Sequence, residues 1–332
     1  MHPGINSMVR RFALAALLAA PAAAPVPPIS PPAQAAMAGV LPQLPGVYRF
    51  TVGEVRVTVL SDGTVPQDLH KLLLGATTDR IDALLAEGFL ANPVEASINV
   101  FLIELGDRRV LVDVGSGNLF GPGLGGKLME SLAASGFRPE QITDILVTHV
   151  HTDHTGGLEK DGARVFPNAT LHVGKPDVDF FMDPSNSGRT NYDMRYFVQG
   201  AKSLKPYLDA GKVKPFAETS EVLPGITASL HPGHTPGTAF YTLESGGQRI
   251  VFIGDIIHVA AVQFPQPEIS IVYDLDPKKA AEVRGEAFPQ FVRDRVLLAA
   301  PHLPFPGVGH VRAAAERGFA WVPVDYANRS PN

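Results

Sequence analysis

Apolar and polar residues alternate along residues 47–52 and 54–60, and this alternation predicts half-buried β-strands. One glycine separates residues 47–52 from residues 54–60, and a short Gly-Asp turn separates residues 98–105 from residues 109–114. Each pair is typical of a β-hairpin. Seven further apolar runs predict buried strands at residues 142–147, 169–173, 226–230, 240–244, 249–254, 296–300 and 319–324.

Other stretches carry a helical spacing of apolar residues or the signals that start and stop helices. Asp276 and Pro277 are typical of an N-cap and first turn, and Gly136 is typical of a C-cap. These signals predict helices at residues 81–90, 127–135, 176–182 and 277–288. We expect residues 65–74 to form a loop over the active face, and residues 183–200 to be an irregular, aromatic-rich stretch.

Strand-rich runs that close with a helix occur twice along the chain. Two runs of this kind predict an α/β fold in which two sheets pack face to face with helices outside. The chain has 332 residues, of which 45% are apolar and 18% charged, as in globular proteins. We interpret residues 39–332 as a single domain.

The first 38 residues differ from the rest in composition. Arg10 and Arg11 precede an apolar run at residues 12–20, and an Ala-Gln-Ala sequence offers a cleavage site before Ala36. This order predicts a signal peptide with a Pro/Ala-rich leader, and therefore a periplasmic or secreted protein. The apolar run is too short to span a bilayer, so no membrane anchor is expected. The alternative is the disordered tail of a cytosolic protein.

The net charge of −5 and the lack of a basic run argue against nucleic acid or an anionic membrane as the main partner. The chain has no cysteine. Disulfides and thiolate ligands are therefore excluded, and any metal ion has to be held by nitrogen and oxygen atoms.

Four metal-ligating side chains lie within six residues, directly after the predicted strand at residues 142–147. Alternation along an extended strand end points His149 and His151 to the same side, so both can reach one ion. Asp153 and His154 follow where the chain has to bend, and can reach a second ion nearby. An exposed polar turn is the alternative, but imidazole and carboxylate groups crowded this closely are typical of a cation site.

Three more predicted strands end in a candidate ligand: His234, Asp255 and His302. Together with the four-residue cluster they supply five imidazoles and two carboxylates, enough for two ions with open coordination positions. We predict that His149, His151 and His234 hold the first ion and that Asp153, His154 and His302 hold the second. Asp255 is predicted to bridge them.

Asp113 also stands at the end of a predicted strand. It could orient a ligand histidine by accepting a hydrogen bond from its other ring nitrogen. It could equally be a turn aspartate that binds its own backbone, and the sequence leaves both interpretations open.

The His149-x-His151-x-Asp153-His154 motif, the turn around His234, the Gly-Asp255 pair and His302 resemble those of the metallo-β-lactamase-fold hydrolases. The likeness covers residues 46–326 and is greatest to the methyl parathion hydrolase and dihydrocoumarin hydrolase group. It implies a four-layer αββα sandwich with two divalent metal ions at one edge. It also implies zinc as the metal, although a nitrogen/oxygen site accepts manganese, cobalt or iron, and a homodimer.

Differences from other branches narrow this resemblance. Well-known zinc β-lactamases place a cysteine at the second ion, and redox members have a glutamate where this chain has His151. Members that process nucleic acids carry a large insert after the bridging aspartate, but only about 46 residues separate Asp255 from His302. All three activities are therefore disfavoured, as is a non-catalytic zinc module, because all seven ligands are present.

The remaining interpretation is a hydrolase of lactones and aryl carboxylic esters in which a hydroxide shared by two metal ions attacks the carbonyl. Asp255 and Asp153 are the predicted catalytic carboxylates, and the partner is a small-molecule ester or lactone. The alternatives are an organophosphate triester hydrolase, an acyl-homoserine lactone lactonase and, as a minor option, thiolester or persulfide chemistry with one iron.

The substrate pocket is expected to be apolar with few polar contacts. Organophosphate-degrading relatives have an arginine near Leu72 and small or aliphatic residues near His258, Ile271 and Tyr273, so this chain is expected to prefer planar lactones or aryl esters. The predicted pocket residues are Leu72, Phe120, Phe197, His258, Ile271 and Tyr273.

Overall fold

The computed structural model describes residues 43–190, 192–315 and 317–328. The predicted leader lies outside the described residues. The described residues from Leu44 onward form one compact unit. None of the helices described is both long enough and apolar enough to cross a membrane.

Two seven-stranded sheets dominate the described residues. The first has the order β1-β2-β4-β5-β6-β9-β10 and the second β11-β12-β13-β14-β16-β17-β18. The strands of the first are β1 (Val47–Val52), β2 (Val55–Gln67), β4 (Val94–Leu105), β5 (Arg108–Val112), β6 (Asp144–Val147), β9 (Thr170–Gly174) and β10 (Val213–Phe216). Those of the second are β11 (Ser220–Leu223), β12 (Ile226–Leu230), β13 (Ala239–Ser245), β14 (Gln248–Phe252), β16 (Leu297–Ala299), β17 (Val308–Ala313) and β18 (Phe319–Pro323).

Two short ribbons, nine α-helices and three single-turn 3-10 helices (Pro139–Gln141, Gly156–Leu158 and Gly254–Ile256) complete the elements described. The ribbons pair β3 (Leu73–Leu74) with β15 (Ser270–Ile271) and β7 (Glu159–Lys160) with β8 (Ala163–Arg164). The helices are α1 (Leu69–Leu72), α2 (Thr78–Glu87), α3 (Leu128–Ala134), α4 (Thr152–Thr155), α5 (Lys175–Phe181), α6 (Ser185–Thr190), α7 (Met194–Asp209), α8 (Ala260–Gln263) and α9 (Pro277–Asp294).

Strand β4 explains why the sheets form layers. Phe101 and Ile103 lie in the core between the two sheets, whereas Val100 and Leu102 lie in the core beneath the helices of the first sheet. Successive side chains of a strand point to opposite faces, so an apolar run of this kind suits a strand that is buried on both sides. A third core covers the outer face of the second sheet under α9. The predicted αββα arrangement is confirmed.

Three local predictions were wrong. The strand predicted at residues 54–60 does not end there, because a register shift between Ser61 and Thr64 in the β2–β4 ladder lets β2 continue to Gln67. The predicted loop at residues 65–74 is therefore the end of β2 followed by α1 and β3. The predicted irregular stretch at residues 183–200 contains α6 and the start of α7, which Asp193 caps by accepting a hydrogen bond from Arg195 N. Helix α9 continues past Pro289 to Asp294.

Asp144 is a buried carboxylate at the start of β6, and its protonation is expected to lower the free energy of unfolding. Burial acts to raise its pKa, but donors from His172 (3.0 Å), Arg108 (2.8 Å) and Thr143 (2.8 Å) outweigh burial and lower the pKa to about 2. The pKa of Asp144 in the folded protein lies below the ordinary 3.8. The ionised carboxylate therefore stabilises the folded state above pH 4, and this contribution is lost as the pH falls towards 2.

We expect wild-type protein to lose about 2 kcal/mol of unfolding free energy through this group over that pH range. Asp144→Asn removes the charge, so its deficit relative to wild type should be largest near neutral pH and shrink in acid. Urea unfolding of both proteins at several pH values measures this. Asp209→Asn, an exposed position on α7, is the matched control. A deficit that does not change with pH would contradict the assignment.

Candidate metal centre

The seven predicted ligands come from the ends of elements in both sheets. His149, His151, Asp153 and His154 follow β6, and the last two lie on α4. The other three follow strands of the second sheet: His234 comes after β12, Asp255 after β14 and His302 after β16. The structure brings all seven side chains together, and every one except the partly exposed Asp153 is buried.

The first ligand group consists of three imidazoles and one carboxylate oxygen. His151 Nδ1 lies 3.0 Å from His149 Nε2 and 3.0 Å from His234 Nε2, and the latter two atoms are 3.2 Å apart. Asp255 Oδ2 lies 3.3 Å from His234 Nε2 and 3.6 Å from His149 Nε2. Four potential ligand atoms therefore face one another around one point.

The second group shares Asp255. Its Oδ1 lies 3.2 Å from His154 Nε2, and its Oδ2 lies 3.1 Å from His302 Nε2. Asp153 Oδ2 lies 3.7 Å from His154 Nε2 and 3.5 Å from His302 Nε2. Asp255 is thus in contact with members of both groups, through different oxygens for His154 and for the first group. His258 Nε2 also approaches Asp255 Oδ2, at 3.1 Å.

The donor set fits divalent cations. In a tetrahedron with zinc–nitrogen bonds of about 2.0 Å the ligand atoms are about 3.3 Å apart, close to the spacings of the first group. His154 Nε2 and Asp255 Oδ1 are buried and face each other, yet neither makes a hydrogen bond. Burial lowers the pKa of His149 and His151 well below the usual range, which keeps both imidazoles neutral for metal binding.

Asp113 holds His154 in place. Its Oδ2 lies 2.8 Å from His154 Nδ1, and its two oxygens also accept hydrogen bonds from the backbone and hydroxyl of Thr148, each at 2.8 Å. Asp113 adopts a left-handed backbone conformation with φ of 58°, which is uncommon for a non-glycine residue. These contacts explain why a strained aspartate stands at this position. Of the two roles considered for Asp113, they match the one in which it orients a ligand histidine.

His234 is oriented by a buried carboxylate that the sequence analysis missed. Asp274 Oδ1 lies 2.8 Å from His234 Nδ1. Asp274 Oδ2 lies 3.7 Å from the guanidinium of Arg284, a fully buried side chain that also donates to the carbonyl oxygens of Pro267 and Ile269. The polar groups behind His234 are therefore paired, and its Nε2 is directed towards the other ligands. Forty residues separate Asp274 from His234, and no local motif links them.

His151 has a hydroxyl partner that was also missed. Tyr192 Oη lies 2.6 Å from His151 Nε2 and donates a hydrogen bond to the backbone carbonyl of Tyr273 at 2.8 Å. His151 Nδ1, the atom on the ligand side, is thereby left free. This tyrosine lies in the stretch predicted to be irregular, where its aromatic character was the only available signal.

The carboxylate of Asp177 accepts hydrogen bonds from both loops that carry the first ligand group. Asp177 is fully buried and accepts hydrogen bonds from Val150 N at 2.8 Å and Thr235 Oγ1 at 2.9 Å. Val150 stands between His149 and His151, and Thr235 follows His234. Burial raises the pKa of Asp177 to about 6, against the opposing effect of these donors.

A cavity of about 300 Å³ opens onto the ligands. Of the predicted pocket residues, Phe120, His258 and Tyr273 line it, whereas Phe197 and Ile271 are buried in hydrophobic cores and Leu72 packs against the core that contains Ile271. The lining consists of Val65, Pro66, Gln67, Leu119, Phe120, Leu124, His151, Thr152, Asp153, Arg195, Tyr196, Gln199, Asp255, His258, Tyr273 and His302.

The sandwich of two sheets with clustered histidines and aspartates at strand ends defines a metal-binding α/β protein. The family model of the metallo-beta-lactamase superfamily matches residues 94–302, and the chain belongs to that superfamily.

Individual relatives support this assignment. The structure of a hydrolase of the beta lactamase superfamily, AbOPH, is 36% identical, has a TM-score of 0.81 and covers 86% of this chain and 100% of its own. AidC, described as a dizinc quorum-quenching lactonase in complex with the product N-hexanoyl-L-homoserine, is 28% identical with a TM-score of 0.77, covering 86% and 99%. A probable metallo-hydrolase of Mycobacterium tuberculosis is 27% identical over 180 residues, which is 48% of this chain and 56% of that protein. The chain thus matches little more than half the length of that curated relative.

Proposed function

We propose that this protein is a hydrolase that holds two divalent metal ions, zinc first among them, and cleaves lactones and aryl carboxylic esters. The observation that carries the proposal is the position of Asp255, which contacts both ligand groups at the end of the cavity. A carboxylate shared in this way suits a pair of ions and not a single one. The names of AbOPH, a hydrolase, and AidC, a dizinc lactonase, support the same reaction class.

In the proposed reaction, His149, His151 and His234 would hold one ion and Asp153, His154 and His302 the other, with Asp255 shared by the two groups. Divalent cations bound there would lower the pKa of water and polarise a carbonyl oxygen. Asp255 is fixed by its contacts and aligns the attacking oxygen through Oδ2. Asp153 is the most exposed of the seven ligands and reaches the cavity, so its carboxylate can accept the proton that the attacking water loses and pass it to the departing alkoxide or phenoxide.

The cavity wall supports planar substrates with few polar groups. Leu119, Phe120 and Leu124 provide an apolar surface, and Tyr273 and His258 provide polar groups near Asp255. A dialkyl aryl phosphotriester is tetrahedral and has two further alkoxy arms, which a cavity of about 300 Å³ accommodates less readily. The choice between lactones or aryl esters and phosphotriesters rests on the resemblance to methyl parathion and dihydrocoumarin hydrolases. That resemblance is part of the same proposal.

Acyl-homoserine lactones are the second candidate substrates. The observation in their favour is the likeness to AidC, which extends over 86% of this chain at 28% identity. A hydrolysis panel on the metal-loaded protein tests both candidates. It should contain aryl esters, γ- and δ-lactones, acyl-homoserine lactones and aryl phosphotriesters.

We expect the wild-type protein to show higher kcat/KM for dihydrocoumarin-type lactones or aryl esters than for methyl parathion. His258→Leu should shift the ratio towards the phosphotriester, because it replaces a polar imidazole beside Asp255 with an aliphatic side chain. A hundredfold change in the ratio corresponds to about 2.7 kcal/mol of transition-state free energy, within the reach of one side chain.

Steady-state kinetics of wild type, His258→Leu and the exposed control His310→Leu measure this ratio. Wild-type preference for the phosphotriester would contradict the proposed substrate class. An unchanged ratio in His258→Leu would contradict the role given to His258.

A further inference from the structure

Arg195 differs in charge from every other residue that lines the cavity. It is the only lysine or arginine among the lining residues, and the two carboxylates there, Asp153 and Asp255, belong to the ligand groups. Its side chain is 61% exposed. A molecule that enters the cavity can therefore contact a positive charge that does not belong to the metal centre.

A stack of rings holds the guanidinium of Arg195 in place. Its Cζ lies 5.3 Å from the ring centroid of Tyr196, within the range of a cation–π contact. The ring of Tyr196 is stacked on that of Tyr192 at 4.9 Å and lies 4.9 Å from the imidazole of His151. A guanidinium that is already ordered by stacking loses less conformational freedom when it binds a ligand.

The charge of Arg195 is only weakly compensated by its neighbours. Among the described residues, its ion-pair partner is Asp193, whose Oδ2 lies 3.6 Å from Arg195 Nη2. That distance is too long for a hydrogen bond, and both side chains are more than half exposed. Exposed ion pairs contribute little free energy, and this one saturates none of the five N–H donors of the guanidinium. Arg195 can therefore pair with an incoming anion.

Arg195 lies on the same side of the cavity as Asp153. It stands in the first turn of α7, and Asp153 stands on α4. The two helices are joined inside the cavity wall, where Thr152 Oγ1 donates a hydrogen bond to Gln199 Oε1 at 2.5 Å. In the proposed reaction Asp153 passes the proton to the leaving group. Arg195 therefore faces the part of the substrate that leaves.

We propose that Arg195 is a specificity-determining residue that binds a carboxylate on the leaving-group side of the substrate. The inference rests on the proposed function and narrows its substrate class to aryl esters and aromatic lactones whose ring carries a carboxylate. A guanidinium binds a carboxylate through two parallel N–H···O hydrogen bonds. Two ring contacts, of 4.9 and 5.3 Å, separate the guanidinium from His151, and an aromatic ring of the substrate spans a gap of that kind.

The test compares 4-acetoxybenzoate with 4-acetoxybenzamide, which have nearly the same shape and differ in charge. The measured quantity is the ratio of kcat/KM for the carboxylate to kcat/KM for the carboxamide on metal-loaded protein. We expect Arg195→Gln to lower this ratio about tenfold relative to wild type. Comparing variant with wild type cancels the different intrinsic reactivities of the two esters and the attraction of any anion to the metal ions.

Arg293→Gln is the matched control. Arg293 is an exposed arginine in the last turn of α9, so this variant removes the same charge from another part of the surface and should keep the wild-type ratio. A ratio in Arg195→Gln within about threefold of wild type would overturn the proposal. The carboxylate would then be attracted by the metal centre or by the net charge, and a loss of activity shared by both esters would belong to the shape of the cavity.

Binding of 4-acetylbenzoate and 4-acetylbenzamide, which have no ester bond to cleave, gives the same comparison without turnover. Isothermal titration should show that Arg195→Gln weakens binding of the carboxylate more than binding of the carboxamide. If the wild type hydrolyses neither ester but this difference in binding is present, the proposed hydrolase function falls and the role of Arg195 stands. If hydrolysis occurs and neither kinetics nor binding depends on Arg195 in this way, the function stands and the role of Arg195 falls.

Discussion

Asp255→Ala is expected to abolish hydrolysis and reduce the metal content from two ions per chain to one or none. Asp255 is in contact with both ligand groups, through Oδ1 to His154 and through Oδ2 to His234 and His302. Its removal takes a ligand from each group, and it also removes the charge that balances the cations. We expect kcat/KM to fall by a factor of about a thousand or more, about 4 kcal/mol of transition-state free energy.

Elemental analysis and kinetics on the purified variant measure the two effects, and far-UV circular dichroism reports the fold. The variant should fold, because Asp255 lies at a strand end and contributes no apolar surface to the cores. Asp209→Ala, on the exposed face of α7, should keep both ions and full activity. Two ions bound to Asp255→Ala, or one or none bound to the reconstituted wild type, would refute the shared-carboxylate arrangement.

Asp62→Ala is expected to lower the free energy of unfolding by about 3–5 kcal/mol. The fully buried Asp62 accepts hydrogen bonds from Ser116 N (2.8 Å), Ser116 Oγ (2.9 Å), Gly126 N (3.0 Å) and Leu128 N (2.9 Å). Burial raises the pKa of Asp62, and the four donors oppose that rise. Alanine would leave these donors buried without an acceptor.

Urea unfolding of wild type and variant measures the loss. Asp79→Ala, exposed in the first turn of α2, should change the unfolding free energy by less than about 0.5 kcal/mol. Asp62 anchors the segment that carries Leu119, Phe120 and Leu124, so the variant should also bind substrate less tightly. A change in unfolding free energy below about 1 kcal/mol would show that the donors find water or other acceptors.

The ligands could be predicted from sequence because each has a local signal. His149, His151, Asp153 and His154 form a dense cluster after an apolar strand, and His234, Asp255 and His302 each end another. The two strand-rich runs that each close with a helix predicted the two-sheet sandwich, in which residues such as Phe101 and Leu102 face different cores.

The residues that orient the ligands could not be predicted in the same way. Asp274, Tyr192 and Asp177 act across 40, 41 and 27 residues of sequence, and their roles exist only once the chain is folded. No local sequence pattern around these aspartates and this tyrosine indicates such a role. Only some of the predicted pocket residues line the cavity, for a related reason. An apolar residue such as Phe197 or Ile271 suits a hydrophobic core as well as a cavity wall.

The two ligand groups connect the halves of the chain, because four of the seven ligands follow β6 in the first sheet and three follow strands of the second. Within the first group alone, His149 and His234 are 85 residues apart. Metal ions bound there would act as cross-links that close long loops in the folded chain and are absent from the unfolded one. By mass action, the resistance of this protein to heat and proteolysis would then rise with the free metal concentration. Metal supply would govern how long the protein survives as well as whether its site is assembled.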